Sequence, residues 1–356
     1  MSEMEKRFDA EKLKTFLRDI FQAAGLEYDY SAAVSDNLVE AELRGVYSHG
    51  VIQARNYADR LKNGSINPKP SIKILRETPG TLTVDGDFAP GAVSGTFAMN
   101  RCLAKAAETG IASVAVRNGT HFGMAAYYAM RALPRDMIGF AFCNSKPHVA
   151  VYGSIDGEIG TNPICAAVPA YGEYPVVFDG ATSKTAYNKV LYAFKEGLKI
   201  ENGLVFDEQG ADTDDPAAAL KGALLPFGGY KGSGLAVIVE IFCSLLTGTS
   251  VQLDADTGEP EETPDKVGFY FSAIDVAAFG EPVFFKKSVD MLIRRLKNLR
   301  RKDERAPIYM PGELEFRRHE EGSANGVKLG GAAAESLASL GEELKLPIGV
   351  EDLVKT

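Results

Sequence analysis

Apolar residues recur at helical spacing through the first sixty positions. Residues 9–24 carry Leu13, Phe16, Leu17, Ile20 and Phe21 before Gly25, the kind of residue at which helices stop. A second helix is predicted over 31–43 with Ser31 as its N-cap, and a third over 51–61, ended by Asn63-Gly64. Pro68 and Pro70 then break the texture. Short β-type runs follow at 71–75 and 81–84, then a helix over 95–108 with Phe97, Cys102, Leu103 and Ala106 on one side. Further β-type runs at 111–116, 138–143, 164–168 and 175–178 are separated by few helices, chiefly one over 124–133. That spacing predicts a mixed sheet rather than a strictly parallel one. Residues 199–217 read as an exposed polar connection, 235–246 as a strong helix, 249–266 as an acidic surface loop and 268–274 as a last β run. The expected class is α/β in the α+β sense. A helical domain is expected from 1–78 and 283–356, and a mixed-sheet domain from 79–282.

A chain of 356 residues can bury a core large enough for two domains. Its net charge of −9 is the wrong sign for non-specific nucleic-acid binding. The basic stretch 286–305 is the exception, but Val289, Leu292, Ile293 and Leu296 make it an amphipathic helix with a solvated basic face. The apolar run 235–246 is too short for a bilayer span and contains Glu240. The N-terminus is polar, without the apolar stretch of a signal peptide. The four cysteines lie far apart in apolar runs, with no metal-ligand spacing, which predicts buried thiols, no metal and a cytoplasmic setting.

Candidate chemistry falls in loops. Arg117-Asn118-Gly119-Thr120-His121-Phe122-Gly123 joins a β run to a helix, where open sheets place reactive groups. Its histidine stands between glycines and is suited to moving protons near neutral pH. Ser48-His49-Gly50 sits at a helix start, where Ser48 either orients His49 or only caps the helix. His148 and His319 have no such setting. Gly228-Gly229-Tyr230-Lys231-Gly232-Ser233-Gly234 precedes a helix, so backbone N–H groups and Lys231 could hold an anion, although a plain tight turn uses the same glycines. It is not a P-loop, and no clear strand precedes it as a Rossmann fingerprint requires. Asp179-Gly180-Ala181-Thr182-Ser183 and Thr161-Asn162-Pro163 are small polar loops beside β runs. A Ser-His-Asp hydrolase is the competing class, with Asp179 as third member. It lacks the G-x-S-x-G elbow, and adjacent Ser48 and His49 cannot easily face each other.

Six stretches, in order, carry a resemblance. They are residues 44–50, 117–123, 160–163, 179–183, 225–232 and 311–313. The chain resembles the malate/L-lactate dehydrogenase family of the type that lacks a Rossmann fold, with relatives such as ureidoglycolate dehydrogenase, diketogulonate reductase, sulfolactate dehydrogenase and piperideine-carboxylate reductase. The resemblance implies a homodimer using NAD or NADP to move a hydride to or from a small 2-oxo or 2-hydroxy acid, with cyclic or N-alkyl imines as the alternative substrates. It implies catalytic roles for His49, His121, Ser48 and Asp179, either histidine being the proton-transfer group. The cofactor would lie against Ser145, Thr161, Asn162, Pro163, Asp179, Gly180, Ala181, Ser183, Tyr230, Lys231, Gly232, Gly312 and Glu313, and the substrate against Gln53, Tyr57 and Lys146. Gln53 stands where many relatives have an arginine in S-H-G-x-x-R, and Lys146 where some have another. Tyr230 replaces a histidine, and Tyr187-Asn188 an Arg-Gly pair. Glutamine cannot pair a carboxylate as an arginine fork does, so substrate identity stays open. A degenerate nucleotide binder is a third reading, against which the intact His49, His121, Asp179 and Lys231 count.

Overall fold

The computed structural model describes residues 6–195, 197–249 and 267–355. Helix α1 (Ala10–Ala23) is capped by Asp9, whose carboxylate accepts from the amides of Glu11 and Lys12. Its buried stripe of Leu13, Phe16, Leu17, Ile20 and Phe21 packs on α2 (Tyr28–Leu43) and α3 (Ala54–Lys62). Helix α2 starts before Ser31, which is not its N-cap. The Ser31 hydroxyl lies buried inside the helix and donates to the carbonyls of Glu27 and Tyr28; the helix starts after the extended Glu27, and Asp29 puts a favourable negative charge in its first turn.

A seven-stranded sheet occupies the middle of the chain. Its strands are β1 (Lys73–Glu77), β2 (Thr81–Asp85), β3 (Ile111–Gly119), β4 (Met137–Cys143), β5 (Ile164–Val168), β6 (Val176–Gly180) and β7 (Val267–Asp275). Their order is β1-β2-β3-β7-β4-β5-β6, so the last strand in sequence sits at the centre. Only β2 and β3 pair in parallel, joined by the crossover helix α4 (Gly91–Thr109). All other neighbours are antiparallel, which is the mixed sheet expected. Alternation on β7 buries Phe269, Phe271 and Ala273 on the α4 side.

Three local expectations change. The 117–119 part of the predicted reactive loop is strand, since Arg117 pairs across to Asp85 and Gly119 to Val267. The 199–217 connection is not wholly exposed, because Val205 packs with Val149, Val190 and Leu224 in a small core of its own. The helix predicted at 235 already begins at Tyr230 and runs to Glu240, extended by a wider turn over Ile241–Leu245. Most of the 249–266 loop lies outside the described residues. Two helices near the end of the chain, Glu313–Asn325 and Gly331–Glu343, return to the first three. Leu337, Leu340 and Leu353 complete the core that α1 begins. No helix among the described residues is long and apolar enough to cross a membrane.

Candidate active site

Two short segments, one following a helix and one leaving the sheet, meet at a cavity of about 550 Å³, within the usual range for small-molecule sites. The first follows α2. Arg44 and Gly45 turn the chain into a 3-10 turn, Tyr47–His49, and a second, Val51–Gln53. Gly50 has no Cβ, and only that lets the Glu42 carboxylate lie against the turn. Glu42 Oε2 accepts from the Val51 amide at 3.1 Å, and Gln53 Nε2 donates to the Ser48 carbonyl at 2.9 Å. The turn is fastened at both ends.

The second segment leaves β3 at Gly119. Thr120 donates to the Ala89 carbonyl, and Phe122 plugs into an aromatic cluster with Tyr128, Phe269 and Phe271. His121, between these anchors, is held over the cavity. Its ring stacks on that of His49, with centroids 5.6 Å apart and planes within 15°. Ser48 Oγ lies 2.9 Å from His49 Nδ1, and the Tyr57 hydroxyl 2.5 Å from His121 Nδ1. Each imidazole is thus held through Nδ1, which leaves Nε2 for a ligand.

Burial disfavours the imidazolium of both rings. His121 falls to about 3, through burial first and then the nearby His49 and Arg60 charges. Asp179 is open to the cavity but walled by protein elsewhere. That enclosure pushes its carboxyl up to about 6, against the Ala126 amide, which it accepts at 2.7 Å; Glu315 adds to the rise and Arg44 opposes it. Solvent in the open cavity weakens the push, so it acts in full only when a ligand fills the space. Burial would raise Glu40 too, but His319 and Arg44 outweigh it and hold it at about 2.

The cavity wall includes Ser48, His49, His121, Thr161, Pro163, Asp179, Gly180, Ala181 and Gly312 from the sequence-derived set. It also includes Arg44, Ala126, Asn188, Lys189 and Glu315, which that set omits. Arg44 stood in a quoted motif and Asn188 in a noted departure, with Lys189 the next residue; Glu315 carried no sequence signal. Other members lie behind the wall. Ser145 Oγ accepts from the Thr161 amide, Asn162 donates to Glu240 and the Ala236 carbonyl, and Ser183 donates to the Thr185 carbonyl. The Glu313 carboxylate is buried and committed to Lys297 and Arg317. Tyr230, Lys231 and Gly232 form the first turn of their helix, and Gly229 before them borders a separate cavity of about 470 Å³. Gln53 braces the turn instead of facing the cavity, Tyr57 stands behind His121, and Lys146 is exposed away from the wall.

A sequence model of the malate/L-lactate dehydrogenase family matches residues 8–338. L-sulfolactate dehydrogenase of Methanocaldococcus jannaschii is 39% identical over 310 residues, 86% of this chain and 88% of that protein. The solved structure of sulfolactate dehydrogenase from that organism superposes with a TM-score of 0.87 at 36% identity, covering 98% of this chain and 100% of that one. Malate dehydrogenase of Pyrococcus horikoshii is 33% identical over 98% of this chain and 97% of its own length. Ureidoglycolate dehydrogenase (NAD(+)) of Escherichia coli K12 is 27% identical over 91% of this chain and 92% of its own.

Proposed function

The chain belongs to the malate/L-lactate dehydrogenase family and is therefore an oxidoreductase, and on that premise we propose that it moves a hydride between NAD or NADP and a small 2-oxo or 2-hydroxy acid. The observation that carries this reading is the stacked His49–His121 pair, each ring held through Nδ1 at one wall of the cavity.

As a hydride leaves the C–H of a hydroxy acid, the hydroxyl becomes acidic and needs a base; reduction needs the reverse. A neutral imidazole takes the proton in oxidation, and the imidazolium so formed gives one back in reduction; burial favours the neutral form of each ring at rest. A bound nicotinamide would supply the hydride acceptor or donor. The small residues Pro163, Gly180 and Ala181 leave room for a flat ring along one wall. Gly228 and Gly229, both at positive φ, open an eleven-residue helix whose first turn carries Lys231, a fitting place for a phosphate. Lys189 is a cation of the cavity wall that can attract the substrate carboxylate, whereas Arg44 on that wall is already paired with Glu40. The four cysteines are free and buried, which suits a cytoplasmic protein. A homodimer is part of the reading. From Leu235 to Val239 the helix is apolar all round, and it and the turn after it leave Leu235, Ile238, Leu245 and Leu246 exposed, as a face that a second copy covers would be.

Fluorescence titration with NADH and NADPH, followed by turnover on a panel of 2-oxo acids and cyclic imines, tests the proposal. Saturable binding of at least one nucleotide and oxo-acid reduction are expected. The His49→Ala and His121→Ala variants are each expected to lower kcat by roughly 10²- to 10⁴-fold while nucleotide binding holds. Binding of neither nucleotide overturns the reading, and turnover confined to imines replaces the acid with an imine substrate.

A further inference from the structure

Behind the Tyr57–His121 contact lies a much smaller cavity of about 10 Å³, lined by Val34, Asn37, Tyr57, Pro90, Thr120 and His121 among others. That is close to the space one water molecule requires. Asn37 projects from α2, is 2% exposed, and its Nδ2 has no hydrogen-bond partner among the described residues. A buried amide donor left unpaired costs about 1–3 kcal/mol, so a native protein ordinarily supplies an acceptor. Gly123, at φ +78°, has no Cβ, and a Cβ there would collide with the Asn37 side chain. The loop that carries His121 is therefore shaped around this amide.

The Tyr57–His121 bond can run in either direction. If the phenol donates to Nδ1, the single proton of the neutral imidazole sits on Nε2. If Nδ1–H donates to the phenol oxygen, Nε2 is bare. What decides is whether the phenol oxygen also accepts a proton from its other side. We propose that one water occupies the small cavity, accepts from Asn37 Nδ2 and donates to Tyr57 Oη, and that this chain locks His121 in its Nε2–H form. Asn37 and Tyr57 are then positioning residues. Burial favours the neutral forms of both His121 and Tyr57, as the chain requires.

The lock divides the labour of the histidine pair, a consequence that rests on the proposed hydride chemistry. His121 becomes a fixed donor to the substrate oxygen. In reduction the carbonyl carbon takes the hydride, its oxygen takes a proton from His49, and His49 passes from imidazolium to imidazole, regaining its proton from solvent. Through this step His121 keeps its Nε2 proton. The Ser48 hydroxyl, unlike the buried phenol, lies on the cavity wall, so His49 is the ring that can exchange.

The test is side-chain ¹⁵N NMR of histidine-labelled protein without cofactor or substrate, so it reads the lock whether or not the dehydrogenase reading stands. The sequence has four histidines, and His121→Ala identifies the signal. The wild type is expected to show His121 protonated at Nε2 only. Asn37→Leu, which removes the donor and fills the cavity, is expected to mix the two tautomers. Asn37→Asp replaces donor by acceptor, reverses the chain and is expected to move the proton to Nδ1, with kcat lower by roughly 10²-fold and nucleotide affinity unchanged. A wild-type ring protonated at Nδ1, or an Asn37→Asp protein with the wild-type tautomer, overturns the proposal.

Discussion

Glu42 is buried beneath the turn that carries His49, where its carboxylate accepts from the Val51 amide. Burial outweighs that donor and pushes its carboxyl up to about 7 from the ordinary 4.5. Between those values the folded chain holds a proton that the unfolded chain has released. Glu42's contribution to stability is therefore complete below pH 4.5, declines as pH rises through the window, and is gone above pH 7. His121 works in the opposite sense, costing stability as pH falls from 6.5 towards 3, so the wild-type curve mixes the two. The difference between wild type and Glu42→Gln isolates the carboxyl, because glutamine keeps an acceptor for Val51. Above pH 7 the variant is expected to gain up to roughly 3 kcal/mol relative to its difference at pH 4.5. Urea unfolding of both proteins across that range measures it, and a constant difference would show that Glu42 does not titrate there.

Among elements, the paired 3-10 turns at 47–53 hold the site together, and they explain why Gln53 is not an arginine substitute. Its amide closes the turn through the Ser48 carbonyl and takes no place on the cavity wall. Gln53→Arg is therefore expected to leave the ratio of kcat/KM between paired acid substrates unchanged. It should lower kcat by roughly ten- to a hundred-fold, because His49 loses its brace. A switch towards dicarboxylates would instead place residue 53 beside the substrate. Much of this scale is legible in the chain. Alternation of Val114, Val116, Phe269 and Phe271 marks strands, and the spacing of Leu13, Phe16 and Ile20 marks a helix. Pairing is not legible, since local pattern does not reveal that β7 inserts between β3 and β4. Nor is the bond from Tyr57 to His121, because the resemblance set Tyr57 against the substrate and local pattern does not tie it to a residue 64 positions on. The His49 and His121 loops stand out by composition, but only the docking of two separate cores brings the rings together.

At the scale of the whole molecule, the exposed apolar stretch at 235–246 is the surface on which the proposed dimer is tested. Leu245 and Leu246 are more than half exposed, an arrangement costly to leave in water. Sedimentation is expected to give twice the chain mass for the wild type and the single-chain mass for Leu245→Asp. A monomeric wild type would remove the dimer from the proposed function.

The core beneath His49 also sets a schedule for biosynthesis. Helices α1 to α3 are made first, yet Leu337, Leu340 and Leu353 close their core, and Glu343 pairs with Arg55 just beyond the His49 turn. The emerging polypeptide can condense its sheet around β7 while its first histidine still lacks a finished support. Ribosomes stalled with residues beyond 330 still inside the exit tunnel should therefore carry catalytically silent chains, and turnover should begin only as that segment emerges. Translation thus delivers the opening residues of the site early and withholds their use until late.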